Sequence, residues 1–232
     1  MASVPDISAI AAELGRSGLI TRGGFNFGPG DPAPDGPRGR PARSVLLVGQ
    51  AGAAPWAHFT EWLAVQGGEV TDLLDTWSRT VIGAVAERHG ARAVSPSDRP
   101  FLPFQQWAMR AENLRPSPLG ILMHPDYGLW QAYRGALLFD AWLPDEEPHA
   151  PNHLCDACAS RPCLSACPAD AFSDTGFDFA ACLAHLRSEA GRTCREAGCQ
   201  ARNACPQDSF RYLPEQQAFH MAAFIDAAAT PQ

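Results

Sequence analysis

Residues 44–49, SVLLVG, form an apolar run of strand length. WAHFTEWLAVQGG beyond them has helical spacing of its apolar positions until Gly67 and Gly68 end it. DLLDTWSRTVIGAVAERHG repeats the helical pattern, with Asp72 near its start and Gly90 at its end. ARAV reads as a short strand, FQQWAMRAE as a helix, and GILM and QAYRGALLF as two strands joined through HPDYGLW. Ahead of all these, residues 21–43 are so dense in glycine and proline that they can sustain neither a helix nor a central strand, and they read as a long loop or lid. The mixture of periods predicts an α+β domain. GQAGAA at 49–54 sits between a strand and a helix but lacks the GxGxxG spacing that lets a pyrophosphate approach the backbone, so it reads as a tight turn with no nicotinamide site.

The cysteines change the picture after residue 150. None precedes Cys155, and all eight fall between there and Cys205. WLPDEEPHAPNH, residues 142–153, is rich in proline and acid and reads as an exposed connection, which makes His153 a linker residue. The expected organisation is a first domain at 1–150 and a second at 151–232. The C-terminal EQQAFHMAAFIDAAA reads as an amphipathic helix packed over the cysteine domain, with His220 a packing residue rather than a ligand.

Composition narrows the chemistry. The chain has 232 residues, 46% hydrophobic and 19% charged, enough to bury a core in one or two domains. All 18 basic residues are arginine, which excludes Schiff-base chemistry and a lysine-dependent phosphate loop. A net charge of −7 with no basic run argues against a nucleic-acid partner. The start, MASVPDISAI, has no basic stretch followed by an apolar run, and no window reaches the roughly 18 apolar residues of a membrane span. A cytoplasmic protein without a membrane partner is expected.

The first cysteine group is CxxCxxxxCxxxCP: Cys155, Cys158, Cys163, Cys167 and Pro168. The second is Cys182, Cys194, Cys199 and Cys205, followed by Pro206. Two groups of four, each closed by Cys-Pro, are the inventory for two [4Fe-4S] clusters. In the bacterial two-cluster arrangement the fourth cysteine of each run serves the other cluster. That rule predicts one cluster on Cys155, Cys158, Cys163 and Cys205 and another on Cys167, Cys182, Cys194 and Cys199. Both groups are looser than the standard run, and four-cysteine zinc sites also use paired cysteines. Disulfides are the third alternative, disfavoured in a reducing compartment.

Residues 107–172, WAMRAENLRPSPLGILMHPDYGLWQAYRGALLFDAWLPDEEPHAPNHLCDACASRPCLSACPADAF, resemble the junction between the cobalamin-binding and ferredoxin domains of epoxyqueuosine reductases. The resemblance continues through ACLAHL to Cys205-Pro206 and covers residues 92–206. GILMHPDYGLWQAYRGALL also resembles the methylmalonic aciduria type C cobalamin-processing proteins. The resemblance implies a nitroreductase-like first domain joined to a bacterial two-cluster ferredoxin-like domain, with cobalamin as a further cofactor bordered by His124, Tyr127 and Trp130. It also implies a proton-donor role for Asp98. Each has a plainer reading: His124 can satisfy a turn, Asp98 can cap one, and Tyr127 and Trp130 can be core. The chain departs from the reductases where Arg-Pro-Phe follows Asp98 and where ENLRPSP replaces a glycine- and lysine-bearing stretch, and the absence of lysine weakens the case for a transfer RNA substrate.

Three functions fit. The first is a cobalamin-dependent iron–sulfur reductase, fed by a ferredoxin- or flavodoxin-type donor and acting on a small molecule that the sequence does not name. The second is a ferredoxin-like electron carrier or subunit without cobalamin. The third is a cobalamin-processing protein.

Overall fold

The computed structural model describes residues 4–66, 72–144, 152–173 and 176–228. The chain forms two compact units, residues 1–113 with 132–150 and residues 114–131 with 151–232. The division is therefore not a single cut near 150, because 18 residues before the expected boundary belong with the cysteines. Part of the expected connection, residues 145–151, and the helix-ending Gly67 and Gly68 lie outside the described residues.

The first unit contains helix α1 (Ile7–Gly15), strands β1 (Ile20–Asn26) and β2 (Ser44–Ala51), helices α2 (Trp56–Ala64) and α3 (Leu73–Arg88), strand β3 (Arg92–Val94) and helix α4 (Phe104–Glu112). The chain then contributes the short strands β4 (Arg115–Pro116) and β5 (Leu122–Met123) to the second unit, and β6 (Gln131–Phe139) follows. The sheet of the first unit has the order β1-β2-β6-β3, with β1 antiparallel to β2 and β3 antiparallel to β6. Every residue of β2 up to Gln50 is buried, so both faces of this central strand are covered, and its unbroken apolar sequence reflects that. Helix α4 packs against β1 and β2, α1 against β1 and α3, and α2 against α3.

Strand β1 corrects the reading of residues 21–43 as loop throughout. It is an edge strand, and its register slips between Thr21 and Gly24, where Gly23 takes φ +55°. A bulge at an edge is where glycine in a strand is tolerated, and a Cβ at Gly24 would lie 2.6 Å from the Val45 carbonyl oxygen. Only one isolated bridge, Asp35 to Pro41, interrupts the irregular remainder to residue 43 among the described residues. GILM and QAYRGALLF likewise part company: Leu122–Met123 pairs with Arg115–Pro116, while QAYRGALLF becomes β6 beside β3.

The first unit buries one charge almost completely. Arg22 is 1% exposed, and its Nε and Nη2 donate to the two carboxylate oxygens of Glu112 at 2.8 and 2.9 Å. The Tyr133 hydroxyl donates to Glu112 and accepts from Arg22 at 3.1 Å, and burial pushes the Tyr133 hydroxyl pKa well above its ordinary value. A bidentate pair satisfied on both sides offsets the cost of burying the guanidinium; a lone one would not. Glu112→Leu is therefore expected to destabilise the protein by about 3–5 kcal/mol. Tyr133→Phe, which removes one hydrogen bond, should cost about 1 kcal/mol. Urea unfolding measures both, and equal midpoints for Glu112→Leu and wild type would contradict this account.

The second unit is assembled from short pieces: the β4–β5 pair, helix α5 (Pro162–Ser165), the pair β7 (Phe172–Ser173) and β8 (Gly176–Phe177), and helices α6 (Phe179–Arg187), α7 (Arg192–Ala197), α8 (Gln200–Asn203) and α9 (Pro214–Ala227). Among the described residues no helix is long and apolar enough to cross a membrane.

Candidate metal centre in the second unit

The core of the second unit is built around its thiols. Leu119, Met123, Leu129, Ala201, Cys163 and Cys205 are buried together, with Cys155, Cys167 and Cys199 packed against them. Segment 114–131 joins this unit because it supplies the leucine and methionine side of that core. The segment is held in shape by a closed turn, in which His124 and Gly128 exchange backbone hydrogen bonds at 3.0 Å each.

Cys155, Cys158, Cys163 and Cys205 line one cavity of about 500 Å³, although Cys205 lies far along the chain from the other three. Burial, then the charges of Cys205, Cys163 and Cys158, push the Cys155 thiol pKa up to about 11. Burial, then Cys199, Cys167 and Cys194, push Cys182 up to about 11 in the same way. Cys182 and Cys199 line a second, apolar cavity with Phe172, Phe177 and Phe224. The eight thiols thus fall into two electrostatically interacting sets of four, and each set draws its members from both sequence groups. Among the described residues, no three or more His, Cys, Asp or Glu side chains are arranged to hold a single metal ion.

Local backbone supplies donors to the sulfurs. The Ala171 N–H donates to Cys167 Sγ at 3.4 Å. N–H groups of Gln200, of Arg202 and Ala201, and of Gln207 act on Cys194, Cys199 and Cys205 respectively, opposing the upward shift from burial. Two side chains near the second set were not singled out from the sequence. His185 Nε2 lies 3.7 Å from Cys194 Sγ, and Arg202 lines the second cavity.

The chain is similar in fold to a cobalamin-trafficking protein. That protein is the C. elegans B12-trafficking protein CblC, at 13% identity over 93% of this chain and 90% of that one, with a TM-score of 0.55. Epoxyqueuosine reductases are weaker matches. The Streptococcus thermophilus enzyme is 14% identical over 72% of this chain, with a TM-score of 0.41, and the Bacillus subtilis enzyme is 14% identical over 87%, with a TM-score of 0.46. The chain spans about half the length of the first and 63% of the second. No family model and no curated protein sequence matches the chain.

The four remaining candidates are separated by the fold. Asp98 lies in the first unit, 40% exposed, its Oδ2 accepting from the Ser95 N–H at 2.7 Å and its Oδ1 from Arg79 at 3.3 Å, which is a turn-capping arrangement. His124, Tyr127 and Trp130 belong to the second unit. His124 Nδ1 accepts from the N–H groups of Asp126 and Tyr127 at 3.0 and 3.2 Å, and its ring stacks on Tyr127 at 4.1 Å. In the neutral ring that commits the proton to Nε2. Trp130 has no exposed surface: its indole N–H donates to the Gln207 carbonyl at 3.0 Å and Tyr212 meets it edge-on. Its packing accounts for it. His153, expected in a linker, is tied to the Arg115 carbonyl through Nε2 at 3.1 Å.

The HPDYGLW turn and the thiol cage meet at Gln207. Gly128 has φ +58°, and a Cβ there would lie 2.9 Å from Gln207 Cβ, two residues beyond Cys205. Gly128→Ala is expected to cost about 1–2 kcal/mol from the left-handed backbone alone, more once the contact with Gln207 is counted. Thermal unfolding checks this, and an unchanged midpoint would show that the turn does not constrain the Cys205 loop.

Proposed function

We propose that the protein is an iron–sulfur redox protein holding two [4Fe-4S] clusters and transferring electrons, with a bound cobalamin as their destination in a reductase. The observation that carries the iron–sulfur reading is the pairing of distant thiols: Cys205 with Cys155, Cys158 and Cys163, and Cys167 with Cys182, Cys194 and Cys199. A tetrahedral zinc site needs each sulfur about 2.3 Å from one ion, so its four thiols crowd around a point. Thiols distributed around a cavity suit a cage of several iron atoms instead. Thiolate ligands and N–H donors to sulfur are what such a cage requires.

The cobalamin part of the reading is supported by the fold likeness to CblC, a B12-trafficking protein. The residues do not yet compose a corrin face: Trp130 is fully buried, and His124 uses Nδ1 on its own turn. With Nε2 protonated, His124 would offer a hydrogen-bond donor to a bound cofactor. Bound cobalamin would supply a strongly reducing metal centre. What this chain would contribute is two sets of buried and half-buried thiols in its second unit to hold the electron-carrying centres.

Protein purified anaerobically is expected to contain about eight irons and eight sulfides per chain. Stoichiometric zinc with no sulfide would refute the reading. Cys205→Ser should abolish the electron paramagnetic resonance signal of the centre that Cys155→Ser also abolishes, and Cys167→Ser should match Cys182→Ser. Signals lost by sequence group instead would show that the sets are not exchanged. Hydroxocobalamin added to the cluster-bearing protein should change its visible spectrum. A spectrum unaltered at any accessible concentration would leave the electron-carrier reading in place of the reductase.

A further inference from the structure

We propose that Arg202, with Arg195 and His185, sets the centre on Cys167, Cys182, Cys194 and Cys199 at the higher potential of the two, so that the first electron accepted from a one-electron donor resides there. The inference rests on the iron–sulfur reading above and adds an order to the two centres.

The two thiol sets have different charged surroundings. Beside the first, Asp156 follows Cys155 directly and is paired with Arg115 at 2.5 Å, while Asp208, three residues past Cys205, is paired with Arg211 at 3.3 Å. Each of these charges is matched by an opposite one, and Arg161, which lines the same cavity, is exposed, where solvent and salt screen it. Beside the second set, Arg202 and Arg195 pair with no carboxylate among the described residues. The Arg202 guanidinium lies 4.6 Å from the Trp130 ring centroid and 4.7 Å from that of Tyr212, and its Nη2 donates to the Leu129 carbonyl. Its buried Nε has no hydrogen-bond partner, and no carboxylate pairs with it among the described residues. Among the described residues Arg195 donates to the carbonyls of Leu186 and Ser188. Glu196, on the same helix as Arg195, is exposed, where solvent and salt screen it.

Reduction adds one negative charge to a cluster. A half-buried guanidinium that is always charged, and whose orphaned N–H lacks an acceptor, stabilises the reduced form more than the oxidised one. A donor at Cys194 Sγ acts in the same direction by withdrawing density from the sulfur, which is the part His185, 3.7 Å away, plays in the tautomer that carries its proton on Nε2. Contact with both rings holds the guanidinium in place, so the field is fixed before the electron arrives.

The test is a potentiometric titration of the full-length, anaerobically prepared protein, with dithionite as reductant and electron paramagnetic resonance as readout. The centre lost in Cys182→Ser should be the one that reduces first in wild type. Arg202→Gln should move that midpoint to lower potential and leave the other unmoved; Arg202→Lys, which keeps the charge, should fall between; and His185→Phe should shift the same midpoint down. If Arg202→Gln fails to retain iron, Arg195→Gln and His185→Phe decide. Unmoved midpoints, or a shift confined to the centre of Cys155, would overturn the inference while leaving two clusters in place. A wild-type protein without iron and sulfide would overturn the iron–sulfur reading itself.

Discussion

Everything in the second unit depends on bringing Cys205 back to Cys155, Cys158 and Cys163. Among its described residues the unit has no long strand and, before its last helix, only short helical pieces, so its apolar centre is small. Thiols take the place of part of that centre. Cys163 and Cys205 are buried beside Leu119, Met123 and Leu129, and partial burial, with mutual repulsion, pushes the Cys155 and Cys182 thiols up to about 11. A small core of this kind would be stabilised by a metal bound to its thiols, because the binding energy would then be folding energy as well.

The first unit solves a different problem by ordinary means. A four-stranded sheet with its central strand β2 covered on both faces supplies its core, and the charge that it buries almost completely, Arg22, is satisfied by Glu112 and Tyr133. The chain as a whole, over 93% of its length, is similar in fold to the C. elegans CblC protein.

The sequence was most informative where one physical effect dominated. β2 and α3 declared themselves because their apolar periods are long and uninterrupted. The eight thiols stood out because their spacing and the two Cys-Pro endings belong to few chemistries. β1 was missed because Gly23 and Gly24 suggest a loop unless a neighbouring strand is known to accommodate a bulge, and α1 was missed although Asp6 caps it and Ile10 and Leu14 bury one face, a signal that was there to read. The membership of residues 114–131 in the second unit was hidden, since its buried leucines fit either side of a boundary equally well. Trp130 resembled a ligand-facing aromatic only until its indole N–H was seen to end on the Gln207 carbonyl. Arg202 lies in no motif, and His185, although it sits in ACLAHL, was not singled out: folding supplies the neighbours of both.

Native mass spectrometry of the anaerobically isolated protein tests the central claim most directly. The account predicts a dominant species at the mass of the 24.9 kDa chain plus two Fe4S4 units. A species carrying one or two zinc ions and no sulfide, or a chain lighter by the hydrogens of four disulfides, would contradict it.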